Sequence, residues 1–380
     1  MTAPSSSMDI GVPAAVRSLP RIALLTTGGT IAGAAASESD SLRYAAGALG
    51  GDALLRAVPA LARIAQIETI AVAAIDSKDA DPAFWCALTE TVRATRARDD
   101  IDGIVITHGT DTLEESAYWL DLMLAAGKPV VLTAAMRPAT ALSADGPANL
   151  FDAVTLAGDT SARDLGVLVT LQNRIHAARD IVKVSSHALD AFASPAGGPL
   201  GWVQDGRVGW LRRRHLASLT ARDETGSTPS SPLRQTLFGE VPSGASGDRL
   251  EARLHVRRLQ PSDLPDVEVV VQYGGASPHL IDALLTHGVR GIVVAGTGNG
   301  TVNAALMAAM QRAVAAGVIV IRSSRAADVH VSANAAVDDD GEGFVASGTL
   351  NPYKARIRLM LALAVGLSER SAMQACFNLA

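Results

Sequence analysis

Three short polar clusters in this chain bring hydroxyl, carboxylate and amine groups together in patterns suited to nucleophilic chemistry. They are Thr26-Thr27-Gly28-Gly29-Thr30, Asp76-Ser77-Lys78-Asp79 and His108-Gly109-Thr110-Asp111-Thr112. Each follows a short apolar run, over 22–25, 67–75 and from 103 onward, that reads as a strand. Ligands of open α/β sheets bind at the carboxyl ends of the strands, so Thr30 and Thr110 stand where chemistry is expected. The glycines at 28 and 29 let the chain turn sharply and approach a ligand closely. Nucleotide loops are excluded by spacing. The glycines at 28, 29 and 33 miss the dinucleotide fingerprint, and no Gly-Lys-Ser/Thr triplet follows.

A threonine hydroxyl is a poor nucleophile without a nearby base or cation. Lys183 has two readings here, a partner for Asp180 or a buried amine that lowers the proton affinity of a hydroxyl. Thr112 and Glu115 have the spacing of a capping box, which would start a helix and leave Thr110 and Asp111 at its N-terminus. Free N–H groups there favour negative charge and suit a developing oxyanion. Asp111 reads equally as an ordinary helix-start acid. Tyr44 is either an anchoring aromatic or part of a lid, because 34–50 is rich in small residues and reads as a mobile loop. His108 has no obvious relay partner and reads as structural.

Composition narrows the class. A chain of 380 residues predicts two domains, and 48% hydrophobic with 19% charged residues suits a large soluble core. The net charge of -5, with no basic concentration beyond Arg212, Arg213 and Arg214, argues against nucleic acid as a partner. Cys86 and Cys376 have no metal-ligand spacing and read as buried thiols. Residues 1–19 read as a disordered leader without an apolar signal, and no run reaches membrane-spanning length. A cytoplasmic enzyme without membrane contact is the expectation.

The elements that must position these clusters alternate as in an α/β protein. The expected N-terminal catalytic domain covers 20–211, with helices over 52–65 and from Asp81-Pro82 to about 96, and a hairpin over 201–210 turning at Asp205-Gly206. Residues 212–263 lose periodicity and read as a linker with an insertion. A smaller C-terminal domain, 264–380, opens with a βαβαβ alternation and ends in helices beginning near Asn351-Pro352 and Glu369.

The threonine motifs, together with Asp-Ser-Lys-Asp, Ala-Met-Arg-Pro at 135–138, Ser-Ala-Asp-Gly-Pro-Ala-Asn-Leu at 143–150 and Ala-Arg-Asp-Ile-Val-Lys at 178–183, resemble the bacterial L-asparaginases and glutaminase-asparaginases. The resemblance extends through Gly-Thr-Gly-Asn-Gly at 296–300 and Ala-Ser-Gly-Thr-Leu-Asn-Pro at 346–352, lapsing across the insertion. It implies a two-domain α/β protein, with a larger flavodoxin-like N-terminal sheet, mostly parallel and flanked by helices, and a smaller parallel C-terminal domain. It also implies hydrolysis of L-asparagine to L-aspartate and ammonia through an acyl-enzyme, without metal or cofactor, in a homotetramer built as a dimer of dimers.

By position, Thr30 matches the family's nucleophile and Tyr44 its activating lid tyrosine. Thr110, Lys183 and Asp111 match a second triad. Ser77 matches the serine at the substrate α-carboxylate, Asp111 also faces the α-ammonium, and Ala135 matches a carbonyl that meets the side-chain amide. Lys78 stands where many relatives carry glutamine, so it either strengthens carboxylate binding or points to solvent. Ala336 replaces a glutamate that reaches the substrate from a neighbouring subunit, which bears on affinity and on asparagine-versus-glutamine preference. A dual glutaminase-asparaginase, an amidase for a larger amide and a non-catalytic amino-acid-binding protein are the alternatives.

Overall fold

A computed structural model describes residues 18–40, 42–212 and 247–378. Most of the expected leader, and 213–246 of the expected insertion, lie outside the described residues. The first sheet begins with β1 (Arg21–Gly28). Its pairing partner β4 (Gln66–Ile75) comes after a small pair, β2 (Ala34–Ala35) and β3 (Tyr44–Ala45). Next come β5 (Gly103–Thr107), β6 (Val130–Thr133), β7 (Val167–Leu171) and β8 (Arg174–Ala177). A second small pair, β9 (Val182–Lys183) with β10 (Phe192–Ala193), precedes the hairpin β11 (Gly201–Gln204) and β12 (Arg207–Trp210).

The large sheet runs β12-β11-β8-β7-β6-β5-β1-β4. The five strands from β7 to β4 are mutually parallel, and the three at the other edge are antiparallel. Numbered along the chain, the parallel strands have the order 2-1-3-4-5 of a flavodoxin-like sheet. The order reverses between β1 and β5, which makes their carboxyl ends the switch point.

The alternation of side chains along β1 explains why it is central. Ala23 and Leu25 face one core with Trp85, Leu88, Ile104, Ile106 and Trp119, between the sheet and the helices Pro82–Arg96 and Leu113–Met123. Ile22 and Leu24 face the other, beneath the helices Gly51–Ala57 and Gly146–Gly158. Asp81 caps its helix as expected, accepting from Phe84 N–H at 2.8 Å ahead of Pro82.

Three local expectations change. The helix expected over 52–65 ends at Ala57, because Pro59 has no N–H to continue it and instead opens a 3₁₀ turn, Pro59–Arg63. The segment over 34–50 is not wholly loose. Ala35 opposes Tyr44, Ala139 N–H donates to Gly33 O at 3.0 Å and Ala35 N–H donates to Thr140 at 2.8 Å. Backbone bonds to a distant loop leave no mark in the composition of the segment. Within the expected linker, Gly247–His255 is a helix whose Leu250 and Leu254, one turn apart, are buried in the same core as β1.

The C-terminal sheet holds β13 (Val267–Val271), β14 (Gly291–Gly296), β15 (Ile319–Ser324) and β16 (Val345–Ala346), all parallel and adjacent in that order. Helices His279–His287 and Ala304–Ala315 make the expected crossovers, and Gly288 ends the first in a left-handed conformation. Helix Pro352–Ala364 joins this domain to the first, since Ala355, Ile357 and Leu359 share the core of Leu113, Ala117 and Leu120. Helix Arg370–Asn378 closes the chain against β16, with Cys376 buried.

Within the smaller domain, Arg322 and Asp339 form a fully buried bidentate pair at 2.5 and 2.6 Å. Arg322 also donates to Asn299 O at 2.9 Å, and Asp339 accepts from Asn334 N–H at 2.9 Å, so the pair ties two loops to β15. Removing one partner strands a buried charge, so Arg322→Met is expected to lower stability by about 3–5 kcal/mol in urea denaturation. A loss near zero would show that the pair carries no structural load.

Candidate active site

The two threonine loops meet backbone to backbone at the switch point. Gly28 and Gly29 both have positive φ, 106° and 75°. The Gly29 N–H donates to Ile75 O at 2.9 Å, which ties the loop after β1 to the end of β4. A side chain at Gly29 would put its Cβ 2.4 Å from Gly109 Cα, and one at Gly109 would sit 2.4 Å from Ser77 Oγ. Three strand ends therefore converge with no room for a methyl group. The glycine immediately before each threonine is the sequence signal for this contact, although the pattern at 28 and 29 points by itself only to a sharp turn and close approach to a ligand.

Thr30 and Thr110 are both buried at the base of this convergence. Thr30 Oγ1 lies 2.7 Å from Tyr44 Oη, and the Tyr44 ring lies against Gly33, where a Cβ would meet it at 2.7 Å. Thr110 Oγ1 accepts from Lys183 Nζ at 2.9 Å, and the same amine donates to Asp111 Oδ1 at 2.6 Å. Asp180 is engaged elsewhere, with Arg179 at 2.7 Å and Arg212 at 3.9 Å, and Lys183 pairs with Thr110 and Asp111 instead. Its ammonium is largely enclosed, whereas the Asp111 side chain is 56% exposed and open to an incoming group.

Ser77 holds the third loop in place. Its Oγ accepts from Asp111 N–H at 3.2 Å, and its carbonyl accepts from Thr112 Oγ1 at 2.7 Å. The capping box expected of Thr112 and Glu115 does not form. The Thr112 hydroxyl is drawn to the Ser77 carbonyl, and Thr112 caps helix Leu113–Met123 through its backbone alone. The helix start after Thr110 and Asp111 is as expected.

Lys78 points outward, 61% exposed, and donates to Asp79 at 2.5 Å. That bond, with Asp76 and Asp111 nearby, raises its proton affinity above the ordinary lysine value. Ala135 is buried just beyond β6, beside a tight loop in which Asp145 accepts from Met136 and Arg137 N–H at 3.0 and 2.9 Å. Ala336 is exposed in the C-terminal domain, between Asn334 and Asp338. His108 is fully buried, its Nδ1–H donating to Gly109 O at 2.8 Å, and burial pushes its pKa down to about 4. It is neutral at physiological pH and braces the loop, as expected of a structural histidine. A cavity of about 500 Å³ beside Pro20, Asp102 and Pro129 lies at the amino ends of β1, β5 and β6 and contains none of these residues.

Fold and site together define an α/β enzyme that gathers its hydroxyl and amine groups at the carboxyl edge of a flavodoxin-ordered sheet. The chain belongs to the asparaginase family: residues 21–216 match the "Asparaginase, N-terminal" family and residues 266–377 the "Glutaminase/Asparaginase C-terminal domain". Relatives include the "Probable L-asparaginase periplasmic" of Haemophilus influenzae, 41% identical over 91% of this chain and 89% of that protein. "L-asparaginase 2" of Escherichia coli is 38% identical over 94% and 93%, and a "Glutaminase-asparaginase" of Pseudomonas fluorescens is 38% identical over 91% and 86%. Among solved structures, a "Probable Cytoplasmic L-asparaginase" from Campylobacter jejuni superimposes with a TM-score of 0.79 at 37% identity, covering 94% of this chain and 99% of that one.

The Gly29–Gly109 contact is directly testable. Gly109→Ala is expected to cost about 1–3 kcal/mol through overpacking against Ser77. Gly29→Ala should cost more, since it adds the strain of a left-handed backbone to the clash. Guanidinium denaturation of the two variants measures both, and parent-like midpoints would show that the loops do not pack this closely.

Proposed function

We propose that this chain is an L-asparagine amidohydrolase, releasing L-aspartate and ammonia through an acyl-enzyme on Thr30. The observation that carries the reading is the contact of Lys183 Nζ with both Thr110 Oγ1 and Asp111 Oδ1, beside a loop that pairs Thr30 with Tyr44. An ammonium near a hydroxyl favours its ionised form, which is what a threonine needs to take a proton or attack. No metal or cofactor enters this scheme.

Thr30 Oγ1 attacks the side-chain amide carbon while its proton passes to Tyr44 Oη, which hands its own phenol proton on towards the leaving nitrogen, and the carbonyl oxygen becomes an oxyanion. Backbone N–H groups of the converged loops stabilise that charge. The C–N bond then breaks, nitrogen leaves as ammonia with the transferred proton, and an aspartyl ester remains on Thr30. Water attacks the ester carbon as Thr110 Oγ1, its ionised form favoured by the Lys183 ammonium, takes the water's proton and passes it on towards Thr30. The Thr30 oxygen departs, regains a proton and leaves aspartate.

Binding groups lie around this centre. Ser77 holds the α-carboxylate, Asp111 faces the α-ammonium with its exposed oxygen, and the Ala135 carbonyl accepts from the amide nitrogen. The outward pairing of Lys78 with Asp79 supports the solvent reading of that lysine.

A second reading, a dual glutaminase-asparaginase, is favoured by the Pseudomonas fluorescens relative, which matches this chain at the same 38% identity as L-asparaginase 2. Ala336 adds to it, since an uncharged residue there leaves Asp111 to hold the α-ammonium within this chain. The resemblance also supports a homotetramer, which light scattering in solution would check. It leaves the compartment to fractionation, as relatives are named both cytoplasmic and periplasmic and no helix among the described residues is long and apolar enough to cross a membrane. A cytoplasmic location is our proposal.

Ammonia release from L-asparagine, L-glutamine and D-asparagine, measured in parallel, decides the substrate. Dominant L-asparagine turnover is the expected outcome, and comparable L-glutamine turnover would establish the dual enzyme. Thr30→Ala and Thr110→Ala should each lower kcat by at least about a thousandfold with the fold retained. Tyr44→Phe should lower it by about a hundredfold. Full activity in both threonine variants would refute the mechanism.

A further inference from the structure

The first turn of the C-terminal helix Pro352–Ala364 reaches back to the foundations of the Thr110–Lys183 pair. Asn351 caps that helix, its Oδ1 accepting from Lys354 N–H at 3.0 Å. Its Nδ2 donates at 3.3 Å to Oε2 of Glu114, which belongs to the N-terminal domain and lies one helical turn beyond Thr110. Glu114 is only 6% exposed, and the backbone N–H and the ammonium of Lys183 both favour its ionised form. That N–H is available because Val184, not Lys183, bonds across to β10 through Ala191 O.

Lys354 completes the contact from the same turn. It is 1% exposed, and its Nζ donates at 2.9 Å to Arg179 O and also to Ile181 O. Both carbonyls belong to the segment that leads directly into Lys183. Arg179 is fastened in turn to Thr349 Oγ1 at 2.7 Å. The residue carrying the amine and the helix that follows Thr110 are thus both secured to one turn of the other domain. Their charges depend on each other. Burial pushes the Lys354 ammonium down to about 8 and the Glu114 carboxyl up, and each opposes the effect on its partner.

We propose that Asn351, Lys354 and Glu114 form an interdomain brace that positions the main chain of Lys183, and so aims its ammonium at Thr110 Oγ1. A lysine side chain is long and flexible, so its aim depends on where its backbone is held. A displacement of about 1 Å at a reacting group can cost about a hundredfold in rate. None of the three touches the reacting atoms; they are positioning residues. The C-terminal domain therefore acts on the site from within a single chain. The proposal rests on the reading of Lys183 as the group that activates Thr110.

The test compares parent protein, Lys183→Met, Lys354→Met and Glu114→Gln for kcat and KM on L-asparagine, at a temperature well below each variant's melting point. Lys354→Met keeps the length of the side chain and removes its donors. Glu114→Gln keeps the shape and an acceptor oxygen while removing the charge, and it decides the matter should the first variant fail to fold. Lys183→Met should be almost inactive. The two brace variants should lose about ten- to a hundredfold in kcat with KM within about twofold, because substrate binding at Ser77 and Asp111 is untouched. Folded brace variants with parental kcat beside an inactive Lys183→Met would overturn the brace and leave the functional reading standing. An active Lys183→Met would overturn the functional reading itself.

Discussion

The rest of this structure depends on one steric constraint, the backbone contact of Gly29 with Gly109 at the point where strand order reverses. Parallel strands deliver their carboxyl ends to one edge of the sheet, but neighbouring loops normally keep side-chain distance from each other. Here the Cβ atoms are absent on both sides, and Gly29 holds a left-handed conformation that other residues rarely adopt. Two hydroxyl-bearing residues, each directly following its glycine, are consequently brought to the same part of the sheet edge. Without that approach, Thr30 with Tyr44 and Thr110 with Lys183 would be two unrelated hydrogen-bonded pairs.

Around that contact, polar groups serve as ties between loops rather than as helix caps. Ser77 bonds Asp111 and Thr112, so the end of β4 is fastened to the end of β5. Thr112 spends its hydroxyl on this tie, leaving its helix capped by backbone alone. Buried His108 braces the same turn in its neutral form. Buried hydrogen bonds of this kind hold a single arrangement well, because each broken bond would leave an unsatisfied group away from water.

Lys183 reaches the site from outside the large sheet, on the two-residue strand β9 of a separate pair with β10. A short strand of that kind has little rigidity of its own. Its surroundings supply it: Asp180 is occupied by arginines, the preceding carbonyls by Lys354 and the partner acid Glu114 by Asn351. The core continues across the same boundary through helix Pro352–Ala364, so the smaller domain is packed into the larger one beneath the polar brace.

The sequence by itself determined the alternating α/β architecture, the two threonine loops at strand ends, the Asp81-Pro82 helix start and the βαβαβ opening of the second domain. These follow from local pattern: apolar runs, glycine positions and capping residues leave their signature within a few neighbours. It did not determine the end of the first helix as read from periodicity alone, although Pro59 marked it, nor the short pairing of Ala35 with Tyr44. It also left Lys183 between two partners and Lys78 between two directions. Tertiary structure decided those, because the choice depends on residues far along the chain: Asp111 lies 72 positions from Lys183, and Lys354 lies 173 positions from the carbonyl it grips at Ile181. Local pattern selects which groups are offered, and only the folded chain brings them within hydrogen-bond distance.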